Sequence, residues 1–517
     1  MIIDARLADA FARLPDYLGS HVLVSITALA LGLGISLPLA IASRRRPVLR
    51  AGLLTFASVV QTIPGLALLA LFYPMLLTLA ALSEHLFGKG FSALGFLPSV
   101  LALALYSMLP VLRNTVIGLN GVDRSLLEAG RVIGSKPVRV LWDIELPLAM
   151  PVIMAGIRTS AVWVIGTATL STPIGQTSLG NYIFAGLQTQ NWVFVLFGCV
   201  AAAALALVVD QLLALLERGV ASRSRAMLAA GGAGLVLVVL AALLPGYGRA
   251  QVTYVIGAKP FTEQYVLAAL IEQRLKARGF STQGRDGLGS AVIFNALAAN
   301  EIDAYVDYSG TIWANRMGRF DAPTRQAVLD EVARWLNATY GIRMLGALGF
   351  ENAYALAMPR ALAEKLGIRT IADLAAHAPQ LSIAGDYEFF ERPEWKAMRD
   401  AYGLRFRAQR TIQPDFMYQA AAAGDVDVVS AYTSDGRIAQ YDLAVLDDPK
   451  HAIPPYDAIL LIAPKHANDE ALLAALKPLV GAIPVELMRA ANLRASSGDS
   501  SADDAARWLT GEMAKRR

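Results

Sequence analysis

Apolar and polar positions divide this chain in two. Before residue 245 long apolar runs dominate, and after residue 251 short apolar runs alternate with mixed, helix-like stretches. A helix needs about 20 mostly apolar residues to cross a bilayer. Six stretches qualify, at 21–43, 53–80, 96–118, 149–171, 193–216 and 226–245. Residues 4–18 place Leu7, Phe11, Leu14 and Leu18 at helical spacing, which predicts a short amphipathic helix lying on the membrane surface. The first apolar run follows about twenty mixed residues with no basic opening region, and Arg44-Arg45-Arg46 follow it. It therefore reads as a span and not as a signal peptide.

In the second half, apolar runs at Val252–Ile256, Ala304–Val306, Leu381–Ile383, Val426–Val429 and Ile459–Ile462 read as strands. Between them lie helical stretches such as 262–278 and 326–337. Strands alternating with helices imply α/β layers. About 265 residues suit two lobes with a cleft between them, and ligands of such sheets bind in the crevice beyond the strand ends.

Charge adds an orientation. Arg44, Arg45, Arg46 and Arg50 lie between the first two spans, Arg124, Arg131, Lys136 and Arg139 between the third and fourth, and Arg218, Arg223 and Arg225 between the fifth and sixth. The alternate loops hold only Lys89. Basic loops stay in the cytoplasm, so the N-terminus and the α/β half are both expected outside. With a net charge of +4 and its basic residues in short membrane loops, the chain shows no nucleic-acid footprint. One cysteine, Cys199, excludes an internal disulfide, and five scattered histidines lack metal-ligand spacing. No GxxxxGK[ST] run occurs, so ATP chemistry would have to come from another polypeptide. Neither a nucleophile elbow nor a spaced acid–base pair supports an enzyme.

Three features inside the spans carry alternatives. Asp210 in the fifth span is either a functional carboxylate or a structural one, snorkelling or paired with Arg158. Pro64-Gly65 and Pro173-x-Gly175 either line a cavity with irregular backbone or mark kinks and span ends. The loop 119–148 predicts one short helix from Ser125 to Val132 and a second after Pro137. Together they are either a rigid knob for a partner or a plain connector.

Within that loop Glu128-Ala129-Gly130, then Gly134, then Ile144-Glu145-Leu146-Pro147 resemble the coupling motif of ABC importer permeases, with Gly130 in place of the usual second alanine. Ala155–Thr159 and Ile165–Leu170 are similar to permeases of the betaine and choline type. The resemblance covers about 21–217. It implies that Glu128, Ala129, Gly130, Gly134, Leu146 and Pro147 dock on a cytoplasmic ATPase.

Tyr308, Tyr354, Tyr432 and Tyr456 follow strand-like runs, and spacing alone makes such tyrosines core or rim residues more readily than a cage. Gly257-Ala258-Lys259-Pro260-Phe261-Thr262-Glu263-Gln264, Asp307-Tyr308-Ser309-Gly310-Thr311, Ala431–Ile438 and Pro454-Pro455-Tyr456-Asp457 nevertheless resemble, in content and order, the solute-binding proteins for glycine betaine, choline and related compounds. That resemblance, over about 252–510, implies that the four tyrosines box a trimethylammonium head. Lys259, Thr311 and Arg392 would hold a carboxylate. Ala258 and Ser309 are mild departures, whereas Asn352 stands where some relatives have aspartate. The segment Gly385–Arg392 aligns least well, and by itself reads as a surface helix start with Arg392 in a solvated ion pair.

Together these resemblances imply a quaternary-amine ABC importer fusion, with ergothioneine importers as close relatives. The expected fold is an all-α polytopic membrane domain of the type I importer kind at 1–220, then a sixth span and tether at 221–250. A two-lobed α/β periplasmic-binding-protein (type II) domain follows at 251–517, its lobes at 252–355 plus 455–517 and at 356–454. The expected function is uptake of glycine betaine, choline or carnitine as osmoprotectants across a bacterial inner membrane, as a homodimer with two ATPase copies and without a cofactor or metal. The alternatives are an ergothioneine importer and, more remotely, a membrane-tethered ligand sensor.

Overall fold

The computed structural model describes residues 2–44, 46–87, 91–132, 135–188, 191–244, 253–319, 321, 324–386, 389–496 and 500–516. Gly134, Arg45, Lys89 and the tether at 246–250 lie outside them. By its elements the described chain forms a helical unit before residue 245 and an α/β unit after residue 252.

The helical unit contains α1 (Ile2–Ser43), α2 (Pro47–Thr62), α3 (Gly65–Phe87), α4 (Phe96–Asn120), α5 (Arg124–Val132), α6 (Pro137–Val140), α7 (Leu146–Ala168), α8 (Gly180–Gln188), α9 (Trp192–Ala221) and α10 (Arg225–Leu243). Six helical stretches among the described residues are long and apolar enough to cross a membrane. Three boundaries correct the sequence reading. The amphipathic helix expected at 4–18 is not separate, because it forms the opening turns of α1, with Leu14 and Leu18 packed against the Leu179–Tyr182–Phe194 cluster. The second run is not one helix, since Pro64 lacks an N–H and splits it into α2 and α3. The Tyr106 hydroxyl donates to the freed Ile63 carbonyl, supplying the partner that hydrocarbon does not. Finally, the helix after Pro137 runs through a π-helical stretch, Leu141–Glu145, directly into α7. Pro147 offers no donor to the Asp143 carbonyl, which accounts for the wider winding just before it.

Pro173-x-Gly175 is a span end, where a 3₁₀ stretch, Thr169–Ile174, closes at Gly175 with φ of 85°. At the core, α4 and α7 approach closely because Gly156 faces α4. A Cβ there would lie 2.7 Å from the Pro110 carbonyl oxygen, the small-residue contact that membrane helices use for van der Waals packing. The Ser160 hydroxyl adds an interhelical bond of 2.7 Å to the Ser107 carbonyl.

The α/β unit has ten strands: β1 (Tyr254–Gly257), β2 (Thr282–Arg285), β3 (Ala304–Tyr308), β4 (Arg343–Glu351), β5 (Tyr354–Pro359), β6 (Ser382–Gly385), β7 (Ala408–Thr411), β8 (Val428–Tyr432), β9 (Leu443–Val445) and β10 (Asp457–Ile462). They form two five-stranded sheets, ordered β2-β1-β3-β10-β4 and β7-β6-β8-β5-β9. This is the two-lobed α/β architecture expected. Each sheet is mixed: β1 runs parallel to β2 and β3, while β10 is antiparallel to β3 and β4. Every residue of β3, β6 and β10 is buried, as strands covered on both faces must be. The chain passes from one sheet to the other at Asn352-Ala353 and returns between Val445 and Asp457. Those two crossings bring the ends of β3, β4, β5, β8 and β10 together.

Candidate functional site

Strand register assembles the aromatic cluster. Tyr354 opens β5 and pairs directly across the ladder with Tyr432, the last residue of β8. Tyr456 immediately precedes β10, and its carbonyl accepts from the Asn352 amide at 2.9 Å. The Tyr354 ring centre lies 5.0 Å from that of Tyr432 and 5.8 Å, edge to face, from that of Tyr456. Tyr308, at the end of β3, joins through Phe261, whose ring stands 6.2 Å from Tyr308 and 6.3 Å from Tyr432. Phe261 belongs to the same motif as Lys259 but was given no role from sequence, where it reads as ordinary core.

The hydroxyls have carboxylate partners that sequence reasoning also missed. Tyr432 donates to Asp386 at 2.6 Å, Tyr308 donates to Glu263 at 2.6 Å, and Tyr456 donates to Glu394. Asp386 closes β6 and is fixed in turn by the Phe389 amide at 2.7 Å. Glu394 lies in the first turn of the helix Pro393–Tyr402, which starts beside Arg392. Burial pushes the phenols of Tyr308, Tyr354, Tyr432 and Tyr456 well above their ordinary range, so all four remain protonated donors. Tyr456 also depends on Gly310, because a methyl group at that position would overlap its ring.

Glu263 is the hub. It opens the helix Thr262–Lys276 fully buried and accepts from Tyr308, from Asn352 at 3.0 Å, from Ser434 at 2.5 Å and from Asn492 at 2.8 Å. Burial raises its carboxyl above the ordinary value, against the pull of these four bonds. The acceptors and donors come from both sheets and from the crossing between them. Asn352 commits its amide nitrogen here, and its Oδ1 is buried without a hydrogen-bond partner among the described residues.

The expected anion-binding residues are placed differently from one another. Lys259 is buried in an ion pair with Asp307, its ammonium 5.4 Å from the Tyr308 ring centre. Arg392 caps the helix Pro393–Tyr402 and sets its guanidinium 5.4 Å from the Tyr354 ring centre, so it belongs to the aromatic cluster and not to the open surface. Thr311 is buried in the first turn of the helix Ser309–Asn315, three residues after Tyr308.

In the helical unit, the motif at 128–147 forms α5, α6 and the start of α7. Glu128 is exposed, whereas the Ala129 side chain and Gly134 lie outside the described residues. Leu126, Val138 and Trp142 are exposed around it, the last by 64%. Glu145 is buried and meets Arg44 at the end of α1 at 3.5 Å, while Leu146 packs with Leu119 and Leu141. Asp210 is paired: Arg158 donates to both of its oxygens at 3.0 Å and to Glu217 at 2.7 Å.

Residues 252–511 match the family model described as the substrate binding domain of ABC-type glycine betaine transport system, and residues 32–222 match that of the binding-protein-dependent transport system inner membrane component. A Helicobacter pylori (strain G27) protein named ergothioneine transport permease/ergothioneine binding protein EgtU is 27% identical over 429 residues, covering 80% of this chain and 74% of its own. The Bacillus subtilis (strain 168) glycine betaine/carnitine/choline transport system permease protein OpuCB is 39% identical over 202 residues, 39% of this chain and 86% of its own. A crystal structure of a glycine betaine/carnitine/choline ABC transporter covers 50% of this chain and 98% of its own at 24% identity, with a TM-score of 0.45.

Proposed function

We propose, for a chain that belongs to the substrate-binding family of ABC-type glycine betaine transport systems and carries their kind of inner-membrane component beside it, that it imports small quaternary-ammonium solutes such as glycine betaine, choline or carnitine. It is a multi-pass permease and its solute-binding domain in one polypeptide, and a separate ABC ATPase supplies ATP hydrolysis.

The observation that carries the solute class is the contact of the Tyr354, Tyr432 and Tyr456 rings where the two sheets meet, with the Tyr432 and Tyr456 hydroxyls turned to carboxylates. A quaternary ammonium has no N–H, so ring faces and negative potential must hold it, at about 0.5–2 kcal/mol per ring. A phenol donating to a carboxylate carries a more electron-rich ring, and the acids add net negative charge. In this reading Tyr308, Tyr354, Tyr432 and Tyr456 hold the head group. Arg392, with Lys259, Thr311 and Asn352, meets a carboxylate when the solute has one.

The remaining parts follow the same logic. Glu128, Ala129, Gly130, Gly134, Leu146 and Pro147 form the ATPase-coupling surface, and exposed Leu126, Val138 and Trp142 give it an apolar contact. Two copies of the chain work with two ATPase subunits. The basic loops face the cytoplasm and the binding domain lies outside, on a short tether that keeps its local concentration near the pore in about the millimolar range. Closure of the lobes captures the solute, and ATP-driven movement of the coupling loop opens the path inward.

Ergothioneine is the second reading, favoured by the fused Helicobacter pylori relative. It too carries a trimethylammonium and a carboxylate. The full chain in nanodiscs, titrated calorimetrically with glycine betaine, choline, carnitine and ergothioneine, separates the two. At least one should bind, and Tyr354→Ala or Tyr432→Ala should weaken it by about 2- to 30-fold, from the per-ring energy above. Binding of a neutral amino acid or sugar, unaffected by either variant, overturns the cage.

A further inference from the structure

The strongest unassigned feature lies in the helical unit, in a hollow of about 490 Å³ between α7 and α9. That volume is within the range of about 300–1,000 Å³ usual for small-molecule sites. Arg158, Thr159 and Trp163 line it from α7, and Leu207 and Asp210 from α9. Arg158 lies twelve residues into α7 from Leu146 and Asp210 eleven residues before the end of α9 at Ala221, each about 16–18 Å from a helix end at 1.5 Å per residue. Ionised groups at such depth face protein or a water-filled space and not lipid.

Its charges do not cancel. One guanidinium serves two carboxylates, Asp210 and Glu217, and Gln211 adds a neutral donor to Asp210 at 3.3 Å. The formal balance is one negative charge. The hollow reaches Arg158 and Asp210, whose side chains keep 29% and 21% exposure, and Glu217 lies behind them in the same ion-pair cluster. Trp163, one turn along α7 from Thr159, is half-exposed and presents an indole, the strongest cation–π partner.

We infer that this hollow is a second solute site, one that receives the cationic head within the membrane. The excess carboxylate provides the potential, Trp163 the ring face, and Arg158 holds Asp210 in place and meets an anionic end where the solute has one. The inference rests on the quaternary-ammonium reading above. Its site is built for passage: one ring and one shared charge hold a cation more weakly than several rings, so the solute can enter and leave.

The test uses the full chain with its ATPase in proteoliposomes, and the four labelled trimethylammonium compounds run separately. Asp210→Asn and Trp163→Leu should each cut uptake of the bound compound at least tenfold. Its Kd for the full chain, set by the binding domain, and solute-free ATP hydrolysis should stay within twofold, and Asp210→Glu should restore uptake. Unchanged uptake in both variants overturns the site. So does a joint fall of uptake and solute-free hydrolysis that Asp210→Glu leaves unrescued, which would make the triad a structural ion pair. If no trimethylammonium compound binds the wild-type chain, the solute reading falls and this site falls with it.

Discussion

Both units hide carboxylates, and they neutralise them in different ways. In the α/β unit Glu263 and Asp386 are held by neutral donors: tyrosine and serine hydroxyls, asparagine amides and a backbone N–H. In the helical unit Asp210 and Glu217 are held by a guanidinium. Neutral donors set no opposite charge against the acids they hold, so any negative potential is left for a solute. A guanidinium cancels half of it, and membrane-spanning helices need such pairing because a lone ion there has no water to fall back on. The binding unit thus satisfies Glu263 and Asp386 through hydrogen bonds, while the membrane unit matches one of its two carboxylates with a cation.

The sharpest way to break that contrast is to remove the cation. Arg158→Met leaves two carboxylates uncompensated, and should cost about 3–5 kcal/mol of stability, as breaking a buried ion pair does. Adding Asp210→Asn and Glu217→Gln to it should return most of that loss. Thermal unfolding in nanodiscs reads both. If Arg158→Met unfolds within a degree or two of wild type, the triad is already hydrated and the comparison fails.

How far the sequence revealed these sites depended on the kind of residue. β3, β6, β8 and β10 announced themselves because they are buried and almost wholly apolar, whereas β2 (TQGR) and β7 (AQRT) are polar edge strands with nothing to mark them. The six spans were legible from length and hydropathy. The break at Pro64 was visible as a proline, but its meaning lay in Tyr106, 43 positions in sequence from the Ile63 carbonyl it satisfies. Tyr308, Tyr432 and Tyr456 stood in motifs, as did Glu263, but the acid partners Asp386 and Glu394 did not. Asp386 sits in the least alignable segment, Gly385–Arg392, and Glu394 just past it, where an acid near a helix start looks like a solvated cap. Only the closeness of β6 to β8 brings Asp386 to Tyr432.

The neutral-donor half of the comparison is sharpened at Glu263. Glu263→Gln keeps the shape but turns one acceptor into a donor facing donors, which should cost about 1–3 kcal/mol, the penalty of a buried polar group left unsatisfied. The pH dependence has a definite sign. Burial raises the folded carboxyl above its ordinary 4.5. Above that pH the unfolded chain releases the proton while the folded chain keeps it, so the wild type loses stability as pH rises until the folded group ionises too. Glutamine has no such loss. The gap between variant and wild type, measured by denaturant unfolding, should be widest near pH 4.5 and narrow upward. A gap that widens with pH would mean that Glu263 is held as a stabilised anion.

The smallest effect tests whether ring placement, and not charge alone, makes the cage. Gly310 stands directly against the Tyr456 ring, and helical geometry suits any residue there, so an added methyl acts through contact and not through the backbone. Gly310→Ala must push Tyr456 aside or shift the helix Ser309–Asn315, an overpacking cost of about 1–3 kcal/mol. Displacing Tyr456 takes one ring from the cluster while Glu394, Asp386 and Glu263 all stay. Solute affinity should then fall about tenfold, which is about 1.4 kcal/mol, with little change at the hollow between α7 and α9. Calorimetry on the full chain measures the affinity. An unchanged Kd would assign the holding of the cation to the carboxylates, and the binding unit would then resemble the membrane unit more closely than its aromatic residues suggest.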